Sequence, residues 1–220
     1  MNTQDLINTA RKMVADDKGL LAIDESIPTC NERFAKQGIP QTEGARRAYR
    51  ELIITTPRLG ESISGLILYD ETIRQQKKDG TPFIKAIIGA GIILGIKVDT
   101  GAKDMAFHPG EKVTEGLDGL RERLKEYSQM GARFAKWRAV IAVGESIPSR
   151  GCFEANAQAL ARYAALCQEA GLVPVVERGS ADGRRSYCRA LPRTNGRGSA
   201  RGLCASLHAK RDPGRYDPEA

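Results

Sequence analysis

The chain has no apolar run long enough to cross a bilayer: its longest, Ala86 to Ile96, is interrupted by glycine and falls well short of the ~20 residues a spanning helix needs. Its start, Met1-Asn2-Thr3-Gln4-Asp5, has neither the basic residues nor the apolar stretch of a signal peptide. A cytoplasmic protein with no membrane partner is therefore expected. The five cysteines, Cys30, Cys152, Cys167, Cys188 and Cys204, are odd in number and lack close pair spacing, which suggests neither a disulfide framework nor a zinc site. The main body also lacks a charge excess. Of 34 Lys+Arg and 27 Asp+Glu, ten and four lie after Glu177, leaving 24 basic and 23 acidic residues in 1–177. The formal charge of +7 thus belongs to the tail, and no nucleic-acid partner is expected for the body.

What is present is ordinary for a folded protein. A hydrophobic share of 41% and a charged share of 28% need no disordered or fibrous reading, and 220 residues can bury a core as one domain or at most two. Five short apolar runs each end on an ionisable residue: Gly19 to Glu25, Gly65 to Glu71, Ile92 to Asp99, Arg133 to Arg138 and Leu172 to Glu177. Such a run is what a buried parallel strand looks like when its carboxyl end opens into a site.

Helical patterns separate these runs. Thr3-Gln4-Asp5 caps a helix with Leu6, Ile7, Ala10, Met13 and Val14 on one face. Thr42-Glu43 opens another through Ile54, ended before Pro57. Further helices are expected from Pro82 to Ile88, from Thr114 to Tyr127 with Leu117, Leu120 and Leu124 facing inward, and from Phe153 to Ala170. Strands alternating with helices at this spacing predict an α/β fold of right-handed βαβ units around a parallel sheet.

In such sheets ligands bind at the carboxyl ends of the strands, which selects Asp24, Lys97, Lys136, Arg138 and Glu177. Each has a bland alternative: Asp24 as a helix N-cap, the others as structural ion pairs. Lysines inside apolar strands are nevertheless costly unless paired or poised for chemistry. A lysine among carboxylates suits amine catalysis, because desolvation lowers its pKa and the carboxylates shuttle protons. Schiff-base or enolate chemistry on a sugar phosphate is the expectation.

The residues also resemble the class I fructose-1,6-bisphosphate aldolases. The resemblance is carried by Gly19-Leu20-Leu21-Ala22-Ile23-Asp24-Glu25-Ser26, Arg46-Arg47-Ala48-Tyr49-Arg50-Glu51-Leu52, Gly95-Ile96-Lys97-Val98-Asp99, Gly116-Leu117-Asp118-Gly119-Leu120, Phe134-Ala135-Lys136-Trp137-Arg138, Asn156 with Leu160-Ala161-Arg162-Tyr163-Ala164, and Gly171 to Glu177. It implies a (β/α)8 TIM barrel and reversible cleavage of fructose 1,6-bisphosphate to dihydroxyacetone phosphate and glyceraldehyde 3-phosphate in glycolysis, with no metal and no cofactor. By the same matching Asp24 serves carbinolamine and proton-transfer steps, Lys136 assists Schiff-base formation, and Glu177 is the acid/base for dehydration. Arg33, Lys97 and Arg138 meet substrate oxygens or phosphates. The complete protein is expected to be a homo-oligomer.

Two departures stand out. Glu32 occupies a position where the family usually has a phosphate-facing lysine. After Glu177 the family continues Pro-Glu, whereas this chain reads Arg178-Gly179. The Schiff-base lysine expected near the end of a sixth strand has no counterpart, since Lys210 sits in Ala209-Lys210-Arg211-Asp212-Pro213 without a strand pattern. Shifting the codons of Asp182 to Pro192 by one base permits Met-Asp-Gly-Asp-His-Thr-Val-Glu-Arg-Cys, close to the family's sequence there. The expectation is a partial barrel of about five of eight strands over 1–177, an irregular, out-of-frame basic tail over 178–220, and no aldol cleavage by the chain as written. A natural Arg- and Gly-rich tail could bind RNA, but Tyr187 and Tyr216 alone offer stacking and no unit repeats. Two other functions stay open: imine formation by Lys136 unaided, as in transaldolases, and a non-catalytic subunit that joins intact aldolase.

Overall fold

The computed structural model describes residues 3–15 and 17–179. The expectations for the tail, including Cys188 and Cys204, therefore fall outside the described residues from residue 180 onward. In chain order the elements are α1 (Thr3–Met13), β1 (Gly19–Ala22), α2 (Ile27–Lys36), α3 (Glu43–Ile54), α4 (Leu59–Ser62), β2 (Ile63–Leu68), α5 (Asp70–Ile73), α6 (Phe83–Gly89), β3 (Ile93–Lys97), β4 (Gly101–Asp104), β5 (Lys112–Glu115), α7 (Leu120–Gln129), β6 (Phe134–Val140), α8 (Arg150–Glu169) and β7 (Val173–Gly179). One sheet runs β1-β2-β3-β6-β7, and each neighbouring pair is parallel. These five strands with their covering helices form an incomplete α/β barrel. The five apolar runs of the sequence are its five parallel strands.

Both faces of the sheet are apolar, which is why the strands read as nearly unbroken hydrophobic runs. Leu66, Leu68, Leu94, Ile96, Ala135 and Trp137 are buried in one core with Phe83 and Ile87 of α6, Leu120 and Leu124 of α7 and Tyr163 of α8. Met13, Ile67 and Phe134 form a second, inner cluster, joined by Ile93, Val173 and Val175. Phe134 needs room: its ring lies across β2 and β3 where Gly65 and Gly95 carry no side chain. A Cβ on Gly95 would stand 2.1 Å from Phe134 Cζ. At the opposite end from the charged strand termini, the Ser64 hydroxyl donates to the Met13 carbonyl at 2.6 Å and lies 3.2 Å from the Gly19 carbonyl. That ties the last turn of α1 to the start of the sheet.

Helix starts follow the capping residues. Thr42 Oγ1 accepts the Ala45 N–H at 3.2 Å, so Thr42→Ala is expected to cost about 1 kcal/mol, visible as a small drop in the urea midpoint with an unchanged slope. Ser149 caps α8 by accepting the Cys152 N–H at 3.2 Å, and donates its own proton to Glu111 Oε2 at 2.6 Å.

Two elements differ from the sequence expectation. Thr114 does not cap a helix; it lies in the antiparallel hairpin β4–β5, and α7 begins at Leu120. The Thr114 Oγ1 accepts the Val140 N–H at 3.2 Å, and Asn156 of α8 accepts the Thr114 N–H at 3.2 Å while donating to the Lys112 carbonyl at 3.0 Å. Tertiary hydrogen bonds hold this segment extended against its helical leucine spacing. The helix α2 was not expected either, although Pro28 in its first turn is where proline suits a helix start.

Candidate functional site

Four of the six predicted site residues form one chain of charge contacts at the carboxyl ends of the strands. The pairing of β1 extends past its last residue, with Ile23 N–H bonded to the Ile67 carbonyl at 3.1 Å. That delivers Asp24, 7% exposed, to the interior. Lys136, in the middle of β6 and 6% exposed, donates from Nζ to Asp24 Oδ2 at 2.8 Å and also pairs with Glu177 Oε2 of β7. Arg138 Nε stands 3.5 Å from Glu177 Oε1. Asp24, Lys136, Glu177 and Arg138 thus meet from three strands that are far apart in sequence.

Burial alone would lower the pKa of the Lys136 ammonium. Hydrogen bonds and charge from Asp24 and Glu177 outweigh it and hold the amine above the ordinary lysine value. Here the structure corrects the sequence argument, in which desolvation was to free the amine as a nucleophile. Pairing wins because two carboxylates reach one nitrogen. The Lys136 ammonium is thereby held as the common hydrogen-bond and charge partner of Asp24 and Glu177.

Lys97 lies beside Lys136 in the β3–β6 register but pairs with Asp99, 3.3 Å away. Asp99 is more than a counter-ion. Its Oδ1 accepts the Gly101 N–H and its Oδ2 the Arg138 N–H, each at 3.1 Å, so it fixes the turn after β3 to β6. Lys97 and Asp99 also line a cleft of about 380 Å³ with Tyr69, Arg74 and Arg123, a cleft that Asp24, Lys136 and Glu177 do not line.

Arg33 joins the group indirectly. It sits on α2 with no contact to Lys136, 2.5 Å from Oε1 of Glu25, the residue that follows Asp24. Glu25 is gripped from the other side by the buried Arg50, which pairs with Oε2 and donates to the Glu25 carbonyl at 3.2 Å. Burial pushes the Glu25 carboxyl up, but the Arg50 guanidinium, the backbone hydrogen bond and Arg33 together bring it below the usual value. Glu32, at the position of the expected lysine, pairs with Lys36 at 2.7 Å on the surface. Arg50 and the second role of Asp99 were not anticipated. The spacing of Arg46, Arg50 and Ile54 on the buried face of α3 was the available signal for the first, because two arginines on a buried stripe require partners.

A family model for class I fructose-bisphosphate aldolase matches residues 5–187. The chain belongs to this family. A probable class 1 fructose-bisphosphate aldolase of Xanthomonas campestris pv. campestris is 64% identical over 177 residues, covering 80% of this chain and 53% of the relative. Fructose-bisphosphate aldolase 6, cytosolic, of Arabidopsis thaliana is 49% identical over 173 residues, covering 79% and 48%. A solved Plasmodium falciparum fructose-bisphosphate aldolase, in complex with TRAP and a small-molecule inhibitor, superimposes with a TM-score of 0.78 at 43% identity, over 80% of this chain and 52% of that one. The chain spans about half the length of the curated aldolases it matches. Among the described residues, no helix is long and apolar enough to cross a membrane.

Proposed function

We propose that residues 1–177 supply the acid/base half of a class I aldolase site for cleavage of fructose 1,6-bisphosphate to dihydroxyacetone phosphate and glyceraldehyde 3-phosphate in the cytoplasm. The observation that carries this reading is the buried Lys136 amine held between Asp24 and Glu177. Three groups that can exchange protons in one contact chain fit a cleavage that protonates a departing carbinolamine oxygen, takes the C4 hydroxyl proton as the C3–C4 bond breaks and returns a proton to C3. Lys97, Arg138 and Arg33 supply the positive charge a bisphosphate needs. In this reading the imine-forming lysine lies outside residues 1–177. The amine of Lys136 is committed to its carboxylates, which argues against the transaldolase-like alternative.

The test is a chimera of residues 1–177 with the remaining half of the Xanthomonas campestris relative. It is expected to cleave fructose 1,6-bisphosphate, and Lys136→Met in it is expected to lower kcat by about 10²–10⁴-fold. A folded chimera without cleavage, or one indifferent to Lys136→Met, overturns the reading. The chain by itself, treated with dihydroxyacetone phosphate and borohydride, is expected to show no mass increment; an increment on Lys136 reinstates the unaided imine. In this reading the sequence from residue 178 onward is out of frame, although Arg178 and Gly179 still complete β7, and resequencing the encoding DNA from the Val173 codon checks it. Co-purification of the chain with an intact aldolase, with no imine formed, would instead support a non-catalytic subunit.

A further inference from the structure

Tyr163 sits on α8, outside the sheet, yet its hydroxyl enters the seam between β6 and β7. It donates to the Ala135 carbonyl at 2.6 Å and accepts the Val175 N–H at 3.1 Å, with the Val175 carbonyl 3.2 Å away. The side chain is fully buried and its ring packs on Trp137, with centroids 5.3 Å apart and planes tilted by 41°. Burial holds the phenol well above its ordinary pKa, so the donor proton stays in place. The bridge falls at a particular level of the sheet. Ala135 immediately precedes Lys136, Val175 is the register partner of Lys136, and Glu177 lies two residues further along β7 opposite Arg138. Lys136 therefore meets Glu177 across a diagonal, whose length depends on how far apart the strands stand.

We propose that Tyr163 is the positioning residue of this site: its hydroxyl, held between the main chains of β6 and β7, sets the strand separation at which Lys136 reaches Glu177. The inference rests on reading Asp24, Lys136 and Glu177 as one site. Removing the oxygen takes away the group that joins the Val175 N–H to the Ala135 carbonyl, which loosens the seam at this level and lengthens the diagonal. Among the described side chains, the other charged groups near Lys136 are Asp24 after β1, Lys97 and Asp99 at the end of β3, and Arg138 on β6 itself, so on β7 the effect falls on Glu177.

The experiment is Tyr163→Phe in the full chain, which keeps the ring and deletes one oxygen. Lys136 methylation by formaldehyde and borane is followed by peptide mass spectrometry, with surface Lys12 as internal reference. Lys136 is expected to react about tenfold faster relative to Lys12, the change that one unit of pKa produces. The Val175 amide should exchange faster while Val173 is unchanged, and p-aminophenylalanine at 163, which restores a donor and an acceptor, should return Lys136 to its original rate. A lower melting temperature with an unchanged Lys136-to-Lys12 ratio overturns the proposal by assigning the hydroxyl to stability alone. A Phe variant that fails to fold overturns it equally, since the hydroxyl then serves the fold. Glu177→Gln separates the two levels. If it accelerates Lys136 and Tyr163→Phe does not, the positioning role fails and the coupled site stands; if neither does, the coupling of Lys136 to Glu177 fails with it.

Discussion

Lys136→Met is expected to destabilise the folded chain by about 3 kcal/mol at pH 7, at the lower end of the range for removing one partner of a buried ion pair. Methionine keeps the length and apolar stem of lysine, so little packing is lost. What changes is Asp24, which is 7% exposed and would lose the cation 2.8 Å from its Oδ2. Glu177, whose side chain is 42% exposed, regains water and contributes little. The pH dependence follows from the same pairing. The folded-state pKa of Lys136 is raised, so its stabilisation is complete below the unfolded value of about 10.4 and is lost as pH rises through the folded-state value. The wild-type and variant stabilities should therefore converge in strong alkali. They should also approach each other in acid, where the unpaired Asp24 of the variant takes up a proton. Urea titrations from pH 4 to 11 check this, and a deficit that is flat across the range, or below 1 kcal/mol, would show that Asp24 does not depend on Lys136.

Gly95→Ala is expected to cost about 3 kcal/mol, at the upper end for overpacking, although glycine to alanine in a strand ordinarily favours folding by restricting the unfolded chain. The added Cβ meets three atoms of the Phe134 ring between 2.1 and 2.5 Å, closer than carbon atoms can stand. The ring has little freedom to retreat, because Phe134 is wholly buried and packed with Met13 and Ile67. Phe134→Ala alone should cost about 3–5 kcal/mol through the cavity it leaves. Combined, the two changes should cost less than their sum by about 2 kcal/mol, since one removes the clash that the other creates. Strict additivity in the double-mutant cycle would mean that the ring and Gly95 do not compete for the same space.

The parallel strands were legible because burial on both faces leaves an unbroken apolar run, as in Ile63–Leu68 and Ile93–Lys97. The hairpin was not. Gly101-Ala102-Lys103-Asp104 and Lys112-Val113-Thr114-Glu115 carry no alternating pattern, and their extended form depends on Asn156 and Val140, partners remote in sequence. The site divides along the same line. Asp24, Lys136 and Glu177 stood out as charges at the ends of apolar runs. Tyr163 and the backbone-binding role of Asp99 did not, because each acts through main-chain atoms of another element, and such contacts leave no local signature; Arg50 left only its place on the buried stripe of α3. The pKa argument for Lys136 failed for a related reason: burial is visible in the sequence, but the number of carboxylates that reach one nitrogen is a property of the assembled sheet.

The order β1-β2-β3-β6-β7 has a bearing on how the chain assembles. Each parallel strand adds to the edge left by the parallel strand before it, and the intervening hairpin β4–β5 pairs with itself. No finished pair must open to admit a later strand. Growth can follow synthesis from the amino terminus, each new strand closing a loop to the latest edge and carrying a modest entropic cost. The charge cluster is the exception. Asp24 is made early and Glu177 last, so the contact chain through Lys136 is completed only when the final described strand docks, and the Lys136–Glu177 pair reports that step.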